Sequence, residues 1–241
     1  YMADESEQSY ADYGKYDIKS VKDSDEDNIT WVDMPKQEFF WQSTAVDSIQ
    51  IGEKDTYRGR TAKYSYKSQE YPAIYDTGTT LIYTPEGLGY ELMMRMVKGL
   101  DYYYDRASGF MIVACDEKRY YEDLFMVIDG YKYQVTVDDY FFVFPADEYW
   151  DEQCILGFLD GEGQDYWLLG DVFMRGYYSI HDNSDHKNAK IGWAPHATSP
   201  KKKVVNADSP ETDVSDILYE CTSIYNYWPG NAGSQWRTYW A

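Results

Sequence analysis

The run "YPAIYDTGTTLIYTPEG", residues 71–87, places one carboxylate and a set of hydroxyls at the end of an apolar stretch. Asp76 is the residue there with chemistry to offer. A carboxylate that follows a buried strand is costly unless neighbouring donors hold its charge or its proton takes part in a reaction. The surrounding Thr77, Gly78, Thr79 and Thr80 supply a turn and three hydroxyls. Asp-Thr-Gly alone is common in turns, so the triplet permits acid–base chemistry without establishing it.

The elements that must position this turn read as strands. From Ile29 onward, short apolar or alternating runs are separated by turn residues, the texture of a β-rich domain. "TAVDSIQIG" alternates. "LFMVIDGYKYQVTV" reads as a hairpin, with Asp129-Gly130 suited to the positive φ angles of a two-residue turn. "YYSIHDNSDHKNAKIGWAP" reads as a second hairpin with a polar loop. Two helices interrupt the strands: "TPEGLGYELMMRMVKGL", with Thr84 as cap and Pro85 at the first helical position, and the short "DVFMRG", capped by Asp171 and stopped by Gly176. Strands do not alternate with helices, so the fold class expected is mainly β.

Composition removes several function classes. With 22 basic and 42 acidic residues the formal charge is −20, which repels nucleic acid and suits a protein that works in acid. No apolar run is long enough to span a membrane. The opening "YMADESEQSYADY" has neither the basic nor the apolar region of a signal peptide, so any targeting segment is expected outside this sequence. Three cysteines are too few for a disulfide scaffold. His181, His186 and His196 pair with no cysteine at metal-ligand spacing, so no metal is expected. Residues 1–28 carry nine acidic side chains against three lysines and by charge read as a solvated linker. "TSPKKKVVNADSPETDVSD" is likewise linker-like, and an aromatic segment follows it.

Asp76-Thr77-Gly78-Thr79-Thr80, preceded by "AIY", resembles the catalytic motif of pepsin-like aspartic proteases. A second stretch, "YWLLGDVFMRGYYSIHDNSDHKNAKIGWAPH" at 166–196, is similar to the closing segment of that family. There two apolar residues and a glycine, here Leu168, Leu169 and Gly170, cross behind the catalytic loop, and a short helix and a final hairpin follow. "TWVDM" and "FFWQSTAVDSIQIG" resemble the family's entry into its C-terminal lobe. The agreement in order and spacing covers about residues 10–196.

The resemblance implies the C-terminal lobe of the bilobal pepsin-like fold, with two short helices and a C-terminal extension. Residues 1–28 become the end of the N-terminal lobe with an interlobe strand and acidic loop. Residues 29–196 become the C-terminal lobe, and 197–241 a Tyr/Trp-rich extension. It implies a metal-free, cofactor-free endopeptidase in which two aspartates share a proton and activate a water against a peptide bond. Asp76 would be the C-lobe member of that dyad. Gly78 would allow the sharp turn and the approach of donors, Thr79 would donate to the outer oxygen of Asp76, and Thr77 would hydrogen-bond across the lobe interface. Cys115 and Cys154 sit where the family's C-lobe disulfide lies, which implies an oxidising compartment: the secretory pathway, extracellular or lysosomal/vacuolar. Asn28-Ile29-Thr30 is a glycosylation acceptor.

No second Asp-Thr-Gly or Asp-Ser-Gly is present. The chain is therefore expected to be the C-terminal half of a larger protein, its partner the N-terminal lobe of the same precursor and its substrate a peptide or protein. Two other readings stand beside it: a lobe retained for structure, or a homodimer presenting Asp76 twice. Under the structural reading the chain is a catalytically inactive subunit of a secreted or surface assembly. Cys221 would then bond between molecules, and residues 217–241, with Trp228, Trp236, Tyr239 and Trp240, would contact other subunits.

Overall fold

The strands fall where alternation and turn residues place them in the structure, a computed structural model that describes residues 9–34, 41–52, 71–148, 151–185, 187–199 and 202–206. For residues 42–45 and 205–206 only the backbone is described. β1 (Thr30–Asp33), β2 (Gln42–Ile51), β3 (Pro72–Tyr75) and β4 (Ile82–Thr84) lead to helix α1 (Leu88–Met96). β5 (Tyr102–Tyr104), β6 (Met111–Val113), β7 (Leu124–Ile128) and β8 (Tyr131–Val135) precede the single turn α2 (Val137–Tyr140). Then come β9 (Phe141–Phe144), β10 (Gln153–Leu156), β11 (Phe158–Asp160), β12 (Trp167–Leu169) and α3 (Asp171–Met174). The hairpin β13 (Tyr177–Asp182) and β14 (Lys190–Pro195) precedes β15 (Val204–Asn206). The fold is mainly β.

An eight-stranded sheet runs in the order β11-β4-β12-β3-β2-β7-β8-β15, and its centre carries the site. β12 lies between β3 and β4, parallel to the first and antiparallel to the second. β7 and β8 form the hairpin foreseen from Asp129-Gly130, whose φ values of 50° and 76° are the pair of left-handed residues that a tight two-residue turn requires. A four-stranded sheet, β5-β6-β10-β9, and a three-stranded one, β1-β14-β13, complete the architecture. The Cys115–Cys154 disulfide joins a 3-10 segment (Cys115–Tyr120) to β10. The acidic stretch forms three 3-10 turns at Ile18–Ser20, Lys22–Ser24 and Glu26–Asn28, tied to the closing hairpin by a Val21–His196 bridge.

Aromatic packing holds the centre. Tyr75, the last residue of β3, packs on Trp193 of β14 with ring centroids 4.8 Å apart and on Phe173 of α3 at 5.8 Å. Phe173 meets Trp193 edge-on at 5.3 Å. Such pairs contribute about 0.5–1.5 kcal/mol each beyond the area they bury, so the strand that delivers Asp76 is anchored to both α3 and the last hairpin.

Two helix starts differ from the sequence expectation. α1 begins at Leu88 with Gly87 as its cap, not at Thr84 and Pro85. Thr84 is the last residue of β4, and its buried hydroxyl donates to the Pro85 carbonyl at 3.0 Å and to Asp160 Oδ1 at 3.3 Å. Asp160, from β11, also accepts the Gly89 N–H at 3.2 Å, so a distant carboxylate serves the start of this helix. In α3 the cap is Gly170, and Asp171 is the first helical residue without a capping hydrogen bond from its side chain. The turn α2, unforeseen in sequence, is closed by a capping box between Thr136 and Asp139.

Candidate active site

Asp76 leaves β3 at the point where β12 runs beside it, and its N–H donates to the Leu169 carbonyl at 3.1 Å. The Thr79 N–H closes the turn on the Asp76 carbonyl at 3.2 Å. Both carboxylate oxygens are engaged from within the loop. The Gly78 N–H donates to Oδ1 at 2.9 Å and the Thr79 hydroxyl to Oδ2 at 2.6 Å. The Thr79 hydroxyl first, and then the Gly78 N–H, hold the Asp76 carboxyl below the ordinary aspartate range against the opposing effect of partial burial. The side chain is half-buried and Thr77 is exposed beside it.

Gly78 does not adopt a left-handed φ. A β-carbon there would instead lie 3.3 Å from Asp76 Oδ1, so glycine serves close approach to the carboxylate rather than a special backbone angle.

Leu168, Leu169 and Gly170 pass directly behind this loop. Leu168 and Leu169 pair with Ile74 and Tyr75 on one side and with Tyr83 and Ile82 on the other. Gly170 donates to the Leu81 carbonyl at 3.1 Å, Asp171 to Thr79 at 2.9 Å and Val172 to Thr80 at 3.0 Å. The loop's carbonyls are thus bound by successive N–H groups where β12 turns into α3. A β-carbon on Gly170 would fall 2.1 Å from the Thr79 oxygen, so only glycine lets the two segments meet.

A family model described as "Eukaryotic aspartyl protease" matches residues 1–196. The chain belongs to the eukaryotic aspartyl protease family. It is 32% identical over 164 residues to gastricsin of Rattus norvegicus, an alignment covering 66% of this chain and 37% of that protein. It is 32% identical over 174 residues to pepsin A of Gallus gallus, covering 69% and 39%. Cathepsin E of Cavia porcellus is 30% identical over 187 residues, covering 76% and 41%. The chain therefore spans about two-fifths of the length of these relatives.

One residue of the site escaped sequence reasoning. Asp171, read there as a helix cap, has its Oδ1 buried with no hydrogen-bond partner among the described residues. Burial chiefly, with the charge of Asp76 adding to it and Arg175 opposing, raises its carboxyl above the ordinary range. Its place directly after Leu168-Leu169-Gly170 was the available signal. Away from the loop, Asn28 donates through Nδ2 to the Lys22 carbonyl at 2.9 Å, and the sequon hydroxyl of Thr30 donates to the Trp193 carbonyl at 3.1 Å. Among the described residues, no group of three or more His, Cys, Asp or Glu side chains is arranged to hold a metal. No described helix is long and apolar enough to cross a membrane. Cys221, residues 217–241 and His186 lie outside the described residues.

Proposed function

We propose that this chain is the C-terminal lobe of a bilobal aspartic endopeptidase and that Asp76 is its half of a catalytic dyad. On this reading residues 1–28 bring the chain from an N-terminal lobe, residues 29–196 form the lobe itself and 197–241 extend it. The observation that carries the proposal is the Asp76 loop. A single carboxylate, each of whose oxygens accepts one donor from its own turn, is presented half-buried on backbone bound from behind by Gly170, Asp171 and Val172.

The chemistry follows from that geometry. Held by two donors, Asp76 alone favours the ionised form. A second aspartate brought beside it from the other lobe adds like charge, so the pair shares one proton and titrates as a unit. The ionised member takes a proton from a water whose oxygen forms the bond to the peptide carbonyl carbon. The protonated member donates to the developing oxyanion. A proton then passes to the amide nitrogen, the carbonyl re-forms as the C–N bond breaks with its electron pair leaving on nitrogen, and the acid and amine products separate. On this reading Thr77, which is exposed, hydrogen-bonds the opposing loop.

The substrate class is an extended peptide with apolar side chains beside the scissile bond, cleaved at acid pH. The Cys115–Cys154 disulfide supports passage through an oxidising secretory compartment, where Asn28 could receive a glycan before its fold closes. The test is to co-express this chain with the upstream lobe of its own precursor and assay an apolar peptide at acid pH. Hydrolysis blocked by a statine-type inhibitor and abolished by Asp76→Asn is expected. Unchanged hydrolysis by the Asp76→Asn protein would overturn the assignment, and a complete precursor without a second Asp-Thr-Gly or Asp-Ser-Gly would favour the inactive structural subunit.

A further inference from the structure

The family match ends at residue 196, yet the chain beyond it sends a lysine into the core. Lys202 is 2% exposed. Its Nζ lies 2.6 Å from Asp139 Oδ2 and 3.1 Å from the Gln134 carbonyl, over the Tyr177 ring at 4.8 Å from the centroid. The same Asp139 oxygen accepts from the N–H and the hydroxyl of Thr136, each at 2.7 Å, in the capping box that closes α2. Asp139 is itself buried. The lysine stem runs beside Gly176, where a β-carbon would meet Lys202 Cγ at 2.9 Å and Ser199 Oγ at 2.7 Å. Three elements thus shape one slot for this side chain: β8, α2 and the turn at Gly176-Tyr177.

The backbone follows the side chain. β15 pairs antiparallel with β8, Val204 opposite Tyr133 and Asn206 opposite Tyr131. The Gln134 N–H donates to the Lys203 carbonyl at 3.2 Å, so the alternation of an antiparallel ladder makes Lys132 and Val205 the next hydrogen-bonded pair. The Tyr177 hydroxyl lies within reach of both the Gln134 and the Lys203 carbonyls, at 2.8 and 3.2 Å. A triplet of lysines that charge alone assigns to a solvated linker therefore has one member drawn inside and one, Lys203, left exposed. A buried ammonium is tolerated only with its counter-charge and acceptors in place, and removing either partner strands the other.

We propose that residues 197–199 and 202–206, which lie beyond the span of the family model, act as a clasp, and that Lys202 is its key. Seating Lys202 completes the Asp139 site, closes α2 and adds β15 to the open edge of the sheet in one cooperative step. The longer edge of β8 is thereby replaced by a three-residue strand next to a charged lysine, an edge poorly suited to pairing with another chain.

Hydrogen exchange on the full 241-residue chain tests this, read at the amides of Lys132 and Gln134. Strong protection of both is expected, with exchange at Gln134 at least tenfold faster in Lys202→Met and likewise in Asp139→Asn. In the double variant the increase matches that of one single variant, because one interaction is removed either way. Val205→Pro, which removes a ladder donor at the outer edge, exposes Lys132 and Gln134 while the rest of the sheet stays protected. The proposal fails if Gln134 exchanges like a free amide in the unaltered chain, if the two single effects multiply in the double variant, or if Val205→Pro leaves Gln134 protected.

Discussion

Replacing Gly170 by alanine puts a methyl group where the structure has no space. The added carbon would lie 2.1 Å from the Thr79 oxygen, 2.6 Å from the Thr79 carbonyl carbon and 2.7 Å from the Leu81 oxygen, all backbone atoms. Restoring an ordinary contact near 3.4 Å needs the segments to part by about 1.3 Å. The bonds from Gly170, Asp171 and Val172, now 3.1, 2.9 and 3.0 Å, would then exceed normal hydrogen-bond lengths. Three backbone hydrogen bonds at about 0.5–1.5 kcal/mol each, together with about 1–3 kcal/mol for overpacking, give an expected loss of about 2.5–7.5 kcal/mol. For a domain of this size that lowers Tm by about 5–30 °C. Calorimetry of the oxidised protein reads the loss, and hydrogen exchange at Asp171 and Val172 locates it. Gly78→Ala is the control, since its carbon meets only the Asp76 side chain at 3.3 Å, and it should cost under about 1 kcal/mol. If Gly170→Ala melts within about 2 °C of the unaltered protein and keeps both amides protected, the close approach of the two segments is not what holds the loop.

Thr79→Val removes the donor to Asp76 Oδ2, so the Asp76 carboxyl should titrate higher when followed by NMR. Asp76 has a depressed folded-state pKa, so its contribution to stability is present above the unfolded pKa and lost as pH falls through the folded one; the variant should lose part of that contribution at neutral pH and little in strong acid. Asp171 has the opposite sign. Its raised carboxyl penalises folding once it ionises, so Asp171→Asn should stabilise the protein at neutral pH and leave the acid side unchanged, and a pH-independent difference would refute this. Reducing the Cys115–Cys154 bond, which spans a sequence separation of 39, should cost about 4 kcal/mol by loop entropy, seen as a drop in Tm on adding reductant.

Much of the fold was legible because its signals are local. Asp129-Gly130 announces its hairpin since two adjacent residues alone can supply the left-handed angles the turn needs. The Asp76 loop was legible for a related reason: its donors, Gly78 and Thr79, sit two and three residues from the carboxylate they serve. The start of α1 was not, because Thr84 spends its hydroxyl on Pro85 and on Asp160, a partner 76 residues away. Asp171 was misread as a cap for the same kind of reason. Its N–H goes to Thr79 across the sheet, and a sequence window contains no trace of that acceptor.

By itself the sequence determined the strand-rich class, the tight turn that presents Asp76, the glycine behind it and the family these belong to, since each rests on residue types at short spacing. Only the tertiary structure decided which backbone groups bind that turn from behind, that Asp171 has a buried oxygen with no partner among the described residues and feels the charge of Asp76, and that Lys202 is an interior residue. Those outcomes depend on burial and on partners dozens of residues apart. The cost of an unpaired charge or an unsatisfied donor is set only once the chain has removed them from water.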